Sequence, residues 1–401
     1  MSILDESMKT LKKKIKRIKK KINRQFWESK PIALLTQVRR SRELALRRSR
    51  ESRPFALPLE EYPDLRFYPF KKATAEFFFG NIGRTDIKVG DTPHYRLACA
   101  LAAGNAGEIK AAAALYEAYL AAASQSSDSA PPELSLAEFR KELNGIRQHP
   151  QKVAPVVVTQ ILPEGEYFVV DGNHRIAMAL ALGLEIPIER WPFELAFMKF
   201  SPFTEFYGTR HNNRPYQSIY FRRRIAVPGR RQDTAERLAM IPPQVLEGAR
   251  ILDVASNFGM SSILARSFGA LSVLGLEISS SMVDLASRFS MFEGTYPEVQ
   301  FRQFNIDKDL LGDDERFDIG FMFSIFAHLS DPARLTRIAE RNIGRYVVFE
   351  AHPGGTYDTY RSFFDSGLFA SVEELGRLSR SVFKPEERTR ILWLCTKANS
   401  H

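Results

Sequence analysis

The sequence predicts an α/β protein: a doubly wound, mostly parallel sheet in the C-terminal half, a smaller α+β domain before it, and a basic helical segment at the N terminus. Three observations predict it. Residues 250–279 read as strand, turn, helix, strand and then a carboxylate; further apolar strand candidates follow at the spacing of alternating βα units; and residues 155–191 carry a second strand-to-helix junction with its own polar cluster. At 401 residues and 44% hydrophobic, the chain has material for two ordinary cores.

Arg250 to Val254 has the length and β-branched content of a buried parallel strand and carries Asp253 just before the turn. Ala255, Asn257 and Gly259 then stand where dinucleotide-binding loops space their glycines, letting backbone approach a ligand at a helix N terminus. Ser261 to Phe268 continues as a helix that Gly269 closes. Leu271 to Leu276 is the second strand, and Glu277, 24 positions after Asp253, is placed to accept from ribose hydroxyls. Phe301 to Ile306 is a third strand candidate ending in Asn305 and Asp307. Arg316 to Phe323 is a fourth, followed by SIFAHLSDP and a helical stretch, and Gly344 to Glu350 is a fifth with a carboxylate at its end. Residues at successive strand C-termini line the crevice of an open parallel sheet. A glycine-poor loop also suits a purely structural βαβ unit.

In residue types and order, LDVASNFG, LEIS, FNID and FDIGFMFSIFAHLSDP resemble the class I S-adenosylmethionine-dependent methyltransferases, over roughly residues 206–401. The resemblance implies a Rossmann-like seven-stranded methyltransferase sheet with S-adenosylmethionine as cofactor. It makes Asp253, Ala255, Asn257 and Gly259 the cofactor loop, Glu277 the ribose ligand, and Asn305, Ile306 and Asp307 the adenine neighbours. Ala255 and Asn257 stand where that family usually has glycine. Methyl transfer needs alignment, plus a base when the acceptor is a hydroxyl or a protonated amine. His328, Glu350 and His352 lie at strand ends on the crevice side and are the base candidates; a His after the fourth strand also serves to order its loop. The lead-in RPYQSIYFRRRIAVPGRRQDTAERLAMI resembles that of methyltransferases found with surface-polysaccharide enzymes. It makes Tyr216, Gln217, Arg231 and Arg237 either caps on the cofactor or part of a solvated basic linker.

Upstream, residues 155–191 read as strand, turn, strand, polar cluster, helix and short strand. Ile176, Ala177, Leu180, Ala181 and Leu184 form the helical stripe, and Gly183 ends it. Asp171, Gly172, Asn173, His174 and Arg175 sit at the junction, where free backbone amides favour phosphate; a capped helix without a ligand has the same composition. DGNHRIAMALALG resembles the ParB/sulfiredoxin superfamily, and IKVGDTPHYRLACALAAG, residues 87–104, resembles the opening strand and helix of that fold, with Asp91 and His94 at the helix start. The resemblance spans roughly residues 60–200, with Ala-rich helices between 97 and 148 as an insert. It implies nucleotide binding, ATP with magnesium, through Gly172, Asn173, Arg175, Asp91 and His94. In a kinase-like version of that fold, Asp171 and His174 handle phosphate and metal. Asn173 stands where the reductases carry Cys, and Asn-His-Arg where the partitioning proteins carry a Glu-Arg-Arg type loop.

The net charge of +10 is uneven: residues 1–53 hold 18 of the 57 Lys and Arg and 5 of the 47 acids, so the remainder is slightly acidic. Leu4, Met8, Leu11, Ile15, Ile18 and Ile22 make a narrow apolar stripe on an otherwise basic helix that Phe26 and Trp27 follow. An anionic membrane surface bound through residues 1–30, a coiled coil, and a nucleic-acid partner are the three readings. The segments are thus a basic amphipathic part (1–54), a ParB/sulfiredoxin-like domain (55–205) and a methyltransferase domain (206–401). The stretch SQSSDSAPPELS reads as a solvated loop. Cys99 and Cys395 are too few and too far apart for a disulfide framework or a cysteine zinc site, and no metal is expected from them. Neither a spanning segment nor a secretory leader is visible, which points to the cytosol, at the inner face of the membrane. These features together describe a methyltransferase with an attached nucleotide-binding domain, acting on a lipid-linked or surface glycan. The alternative is a nucleic-acid methyltransferase; the chain lacks the Asn-Pro-Pro-aromatic or Asp-Pro-Pro-aromatic tetrapeptide of amino-group DNA enzymes. A third reading leaves one of the two domains as a binding module.

Overall fold

In the computed structural model, the described residues are 53–55, 57–67, 72–124, 133–162, 165–193, 196, 215–378 and 389–398. The expected basic amphipathic segment lies almost wholly outside them.

The upstream half begins with β1 (Arg53–Phe55), β2 (Arg66–Phe67), α1 (Lys72–Ile82), α2 (Pro93–Ala103), α3 (Ala106–Ser124) and α4 (Leu136–Gln148). It continues with β3 (Val156–Gln160), β4 (Tyr167–Asp171), α5 (Asn173–Leu182) and β5 (Ile188–Trp191). Its sheet runs β1-β5-β3-β4-β2 and is mixed, with β3 parallel to β5 and antiparallel to β4. The helix ends follow local chemistry. Thr92 accepts from Tyr95 N–H and Pro93 takes the first turn of α2; a Ser135–Glu138 capping box opens α4; and Gly183, at φ 64°, closes α5. One expectation is corrected. The stretch from Ile87 forms no opening strand but a single bridge, Lys88 to Arg66, and a 3-10 turn over Val89–Asp91, because Asp91 folds back to accept the Lys88 N–H at 3.2 Å instead of pairing along an edge.

The C-terminal half follows with the hairpin β6 (Ile219–Phe221) and β7 (Arg224–Val227), then α6 (Thr234–Ala239) and α7 (Pro243–Leu246). Next come β8 (Arg250–Val254), α8 (Met260–Ser267), β9 (Ser272–Glu277), α9 (Ser280–Phe292), β10 (Val299–Gln303) and β11 (Phe317–Phe323). The last elements are α10 (Ala333–Asn342), β12 (Ile343–Glu350), α11 (Arg361–Phe364), β13 (Phe369–Leu378) and β14 (Arg390–Lys397). The seven strands run β10-β9-β8-β11-β12-β14-β13, the first five parallel and β14 antiparallel to both neighbours. From β8 the chain winds outward to β9 and β10, then returns to place β11 on the other side. This reversal opens a crevice at the C-terminal ends of β8 and β11, where such sheets bind ligands.

The two sheets share an apolar core in which Phe168, Val170 and Trp191 of the upstream sheet join Phe221 and Phe292 of the other half. Arg66 donates across the seam to the Phe292 carbonyl at 3.3 Å. No helix among the described residues is long and apolar enough to cross a membrane.

Candidate functional site

After β8 the chain turns through Ala255 (φ 61°), Asn257 (φ 56°) and Gly259 (φ 78°) before entering α8. All three lie in the left-handed region, which costs a residue with a Cβ on the order of 1 to 2 kcal/mol. The two departures from glycine therefore fall at positions that want a glycine-like backbone, and Asn tolerates that conformation better than Ala. The loop is held by Ser256 N–H to the Leu276 carbonyl at 2.8 Å, and by the Phe301 ring beneath it. A Cβ at Gly259 would lie 2.3 Å from that ring, and one at Gly275 would lie 2.4 Å from it.

Glu277 closes β9 against this loop. It is buried; one carboxylate oxygen accepts the Asn257 N–H and the other the Ser279 N–H, each at 3.0 Å. Burial raises its pKa, and the amides of Ser279 and Asn257 oppose that rise. A carboxylate offers about four lone-pair directions, so with the amides of Ser279, Asn257 and Ile278 turned to it Glu277 keeps room for a further donor. The side-chain oxygen of Asn257 is buried without a hydrogen-bond partner among the described residues, a state that costs about 1 to 3 kcal/mol until a donor arrives. The ribose hydroxyls and ammonium of S-adenosylmethionine are donors of this kind, so the residues present fit that cofactor.

The next turn borders the same crevice. Phe304 N–H donates to the Glu277 carbonyl at 2.8 Å, Asn305 accepts from Asp307 N–H at 3.0 Å, and Asp307 accepts from Ser330 N–H at 3.0 Å, tying this turn to the segment after β11. The Ile306 side chain lies in the apolar core on that side of the sheet.

Of the three base candidates, Glu350 is corrected. It is 1% exposed and pairs with Arg237, with Arg231 at 2.7 Å and with Arg390 at 3.5 Å, and it accepts from Ser324 Oγ at 3.0 Å. Burial alone would raise its pKa, yet the three guanidinium groups outweigh that and hold it down to about 2. So placed, it anchors charge and does not collect protons. The same contacts spend Arg231 and Arg237, buried at 3% and 1% exposure, which makes them neither caps on the cofactor nor part of a solvated linker. Arg231 also pairs with Asp233 at 3.0 Å; Arg237 donates to Ser261 Oγ at 2.6 Å and lies 3.9 Å over the Phe323 ring. Gln217 stays close to the lead-in, bridged to Arg231, and Tyr216 lies under Arg230.

His352 accepts the Ala327 N–H on Nε2 at 3.0 Å, which puts its proton on Nδ1; burial first, then His328, push its pKa down to about 4. It orders the loop after β11. His328 is exposed, its ring centroid 5.0 Å from that of His352, and is the candidate whose ring remains open to an acceptor.

Asp253 is buried under the loop and accepts from Ser262 Oγ at 2.6 Å; burial lifts its pKa to about 6, against the pull of Ser262 and Arg237. A folded-state pKa above the unfolded value means the native protein binds the proton more tightly. This carboxyl is therefore harmless below about pH 4, and its ionisation lowers stability as the pH rises through about 6. Asp253→Asn keeps an oxygen for Ser262 and removes the charge. Its gain in unfolding free energy over the wild type is expected to grow by on the order of 2 to 3 kcal/mol between pH 4 and pH 8, read by urea titration. A gain independent of pH would show that the carboxyl is not held in this state.

The upstream cluster differs from the expected phosphate site. Arg175 donates to the Pro155 carbonyl at 2.8 Å and pairs with Asp171 at 3.7 Å; Asp91 pairs with Arg84 and caps Lys88 N–H. His174 turns inward, 2.8 Å from the Tyr116 hydroxyl, held neutral because burial pushes its pKa down to about 3. His94 is fully buried. Gly172, at φ 97°, lets Arg175 fold back, since a Cβ there would meet its guanidinium at 3.0 Å. With Arg175, His174 and Asp91 engaged inside the protein, His94 buried out of reach and Asp171 paired, these residues do not fit ATP with magnesium. The sequence reading also missed Glu133. Assigned to a solvated loop, it lies instead with its carboxylate 3.2 Å from Nε2 of His174. Its polar neighbourhood in the chain carries no periodic signal, so only the fold reveals it.

Residues 251–342 match the family model described as a methyltransferase domain. The match runs from β8 to the end of α10 and contains the loop, Glu277 and His328. The segment from β8 to α10 is thus similar to a methyltransferase domain, and it lies in a seven-stranded sheet of Rossmann-like α/β fold. No curated protein matches the sequence. Solved structures similar to part of the chain include the magnesium protoporphyrin IX methyltransferase ChlM of Synechocystis PCC 6803 with bound S-adenosylmethionine, at 18% identity, 42% of this chain, 79% of that one and TM-score 0.35. The N-terminal domain of EvdMO1, in the presence of S-adenosylhomocysteine and D-fucose, is similar at 18% identity, 45% of this chain, 90% of that one and TM-score 0.37. The bifunctional kinase-methyltransferase WbdD is similar at 19% identity, 46% of this chain, 44% of that one and TM-score 0.37.

Proposed function

We propose that the seven-stranded domain binds S-adenosylmethionine across the C-terminal ends of β8 and β9, with the ribose on Glu277, and transfers its methyl group to an acceptor at the open side of the crevice. The observation that carries this is the Glu277 carboxylate: buried at the end of β9, fixed by backbone amides of the loop and of the turn after it, and left with acceptor capacity for a ribose hydroxyl. When bound, the cofactor supplies a methyl group on a positively charged sulfur. The chain's own part is to hold geometry. Glu277 and the left-handed loop position the ligand, the Asn257 side chain accepts from it, and the Asp307 to Ser330 tie keeps the segment carrying His328 over the crevice. His328 takes the proton of a hydroxyl acceptor.

Titration calorimetry tests the reading. The wild type is expected to bind S-adenosylmethionine with one site per chain, and Glu277→Ala to weaken it about 100-fold or more, the loss of two charge-assisted hydrogen bonds. Asp171→Ala, on the exposed rim of the other domain, should bind as the wild type does. Equal affinity in Glu277→Ala, or no binding to the wild type, overturns the assignment.

We infer that the acceptor is a lipid-linked or surface glycan. What supports this class is the basic, apolar-striped composition of residues 1–30, suited to an anionic membrane surface on which each basic residue contributes about 1 kcal/mol. The full chain is expected to float with anionic vesicles, and a chain lacking residues 1–30 to stay at the bottom of the gradient. Equal flotation of both removes the surface and, with it, this acceptor class.

A further inference from the structure

His94 on α2, His174 on α5 and Glu133 just before α4 converge in the upstream domain, their ligand-type atoms all within 4.8 Å of one another. Nε2 of His94 is 3.6 Å and Nε2 of His174 is 3.2 Å from the same Glu133 oxygen. Two donors of a tetrahedral metal with bonds of about 2.0–2.1 Å stand about 3.3 Å apart, and the two measured separations bracket that value. His94 adds an independent sign. Its side chain is 0% exposed, and neither ring nitrogen has a hydrogen-bond partner among the described residues, although buried polar nitrogens are ordinarily satisfied.

The surroundings are those of a ligand-holding shell. Tyr119 donates to the other Glu133 oxygen at 3.0 Å, fixing the carboxylate; the Tyr116 hydroxyl donates to the Leu134 carbonyl at 2.7 Å and lies 2.8 Å from Nε2 of His174, a contact that a bound metal replaces. The rings of His94 and His174 meet edge to face at 4.5 Å. A carboxylate here disfavours a bound anion, and two imidazoles disfavour magnesium, which takes oxygen donors.

We propose that Nε2 of His94, Nε2 of His174 and a carboxylate oxygen of Glu133 bind a divalent first-row transition metal, zinc by donor class, with a fourth position open on the solvent side of His174 and Glu133. Three protein ligands with one open position are the donor count of a zinc site that can take a water or a substrate oxygen. The site lies in a different domain from the Glu277 crevice, so it stands or falls separately from the methyltransferase reading.

Untagged full-length protein, stripped with a chelator and desalted, is titrated with cobalt(II) and watched in the visible range. One equivalent is expected to produce intense bands of tetrahedral cobalt, which an equivalent of zinc then abolishes while raising the melting temperature. Glu133→Gln and His174→Gln should weaken cobalt binding by well over tenfold while leaving S-adenosylmethionine binding unchanged. Should a variant fail to fold, zinc-edge X-ray absorption of the wild type decides alone: two imidazoles and light-atom bonds of about 2.0–2.1 Å support the site. No cobalt bands and no thermal shift in the wild type, or bands undiminished in the folded variants, or a zinc shell without imidazole, overturns it.

Discussion

Glu350→Ala is expected to destabilise the protein by about 3 to 5 kcal/mol, measured as the shift in unfolding free energy by urea titration. Removal of the carboxylate leaves Arg231, Arg237 and Arg390, at 3%, 1% and 7% exposure, with Asp233 as the partner of Arg231 alone. Three buried cations with so little compensation cost more than the hydrogen bonds they retain, because desolvation falls on each guanidinium. Domains are stable by only about 5 to 15 kcal/mol, so this loss is a large share of the total. The pH dependence has a definite sign. Glu350 has a folded pKa of about 2, below its ordinary value, so its contribution is complete above about pH 4.5 and is lost as the pH falls toward 2. Glu350→Gln should therefore differ most from the wild type at neutral pH, and the two should converge in acid. A midpoint unchanged at pH 7 would sink the account.

The second large effect is expected at Gly259. Gly259→Val places a branched side chain on a residue at φ 78° whose Cβ would lie 2.3 Å from the Phe301 ring and 3.0 Å from Ala286. Backbone strain of about 1 to 2 kcal/mol and overpacking of about 1 to 3 kcal/mol add to a loss of about 2 to 5 kcal/mol, with cofactor binding falling in parallel because the loop cannot close. A double-mutant cycle separates the causes. With Phe301→Ala in place, Gly259→Ala should cost at least about 1 kcal/mol less than in the wild type, since the ring that it meets is gone. Strict additivity would show that the ring is not the obstacle.

How far the chain's own order of residues reveals the fold can be judged element by element. The strand bearing Asp253, the turn with Ala255, Asn257 and Gly259, and the strand ending in Glu277 all lie within one or two residues of where periodicity places them. The order strand, strand, helix and short strand over residues 155–191 also stands as expected. These are short-range features: alternating burial, a left-handed turn and a carboxylate at a strand end are properties of a few neighbouring residues. The strand expected at Ile87 is replaced by a 3-10 turn because Asp91 folds back onto the Lys88 N–H, and buried Ile87 and Val89 alternate as they would at a strand end.

Which charges meet is another matter. Glu350 looks like a base at the mouth of a crevice until Arg237, 113 positions away, and Arg231 and Arg390 close on it. His174 and Arg175 look like phosphate donors until α5 packs against α2 and turns one imidazole toward His94 and the guanidinium toward the Pro155 carbonyl. His94, Glu133 and His174 come from three separate elements, 39 and 41 positions apart, and no local pattern joins them. Backbone conformation and amphipathic burial are decided among near neighbours and can be inferred from them. Ionic partners, protonation and a ligand cluster depend on long-range packing, because electrostatic energy depends on distance in space and on lost hydration, both of which exist only once the chain has folded.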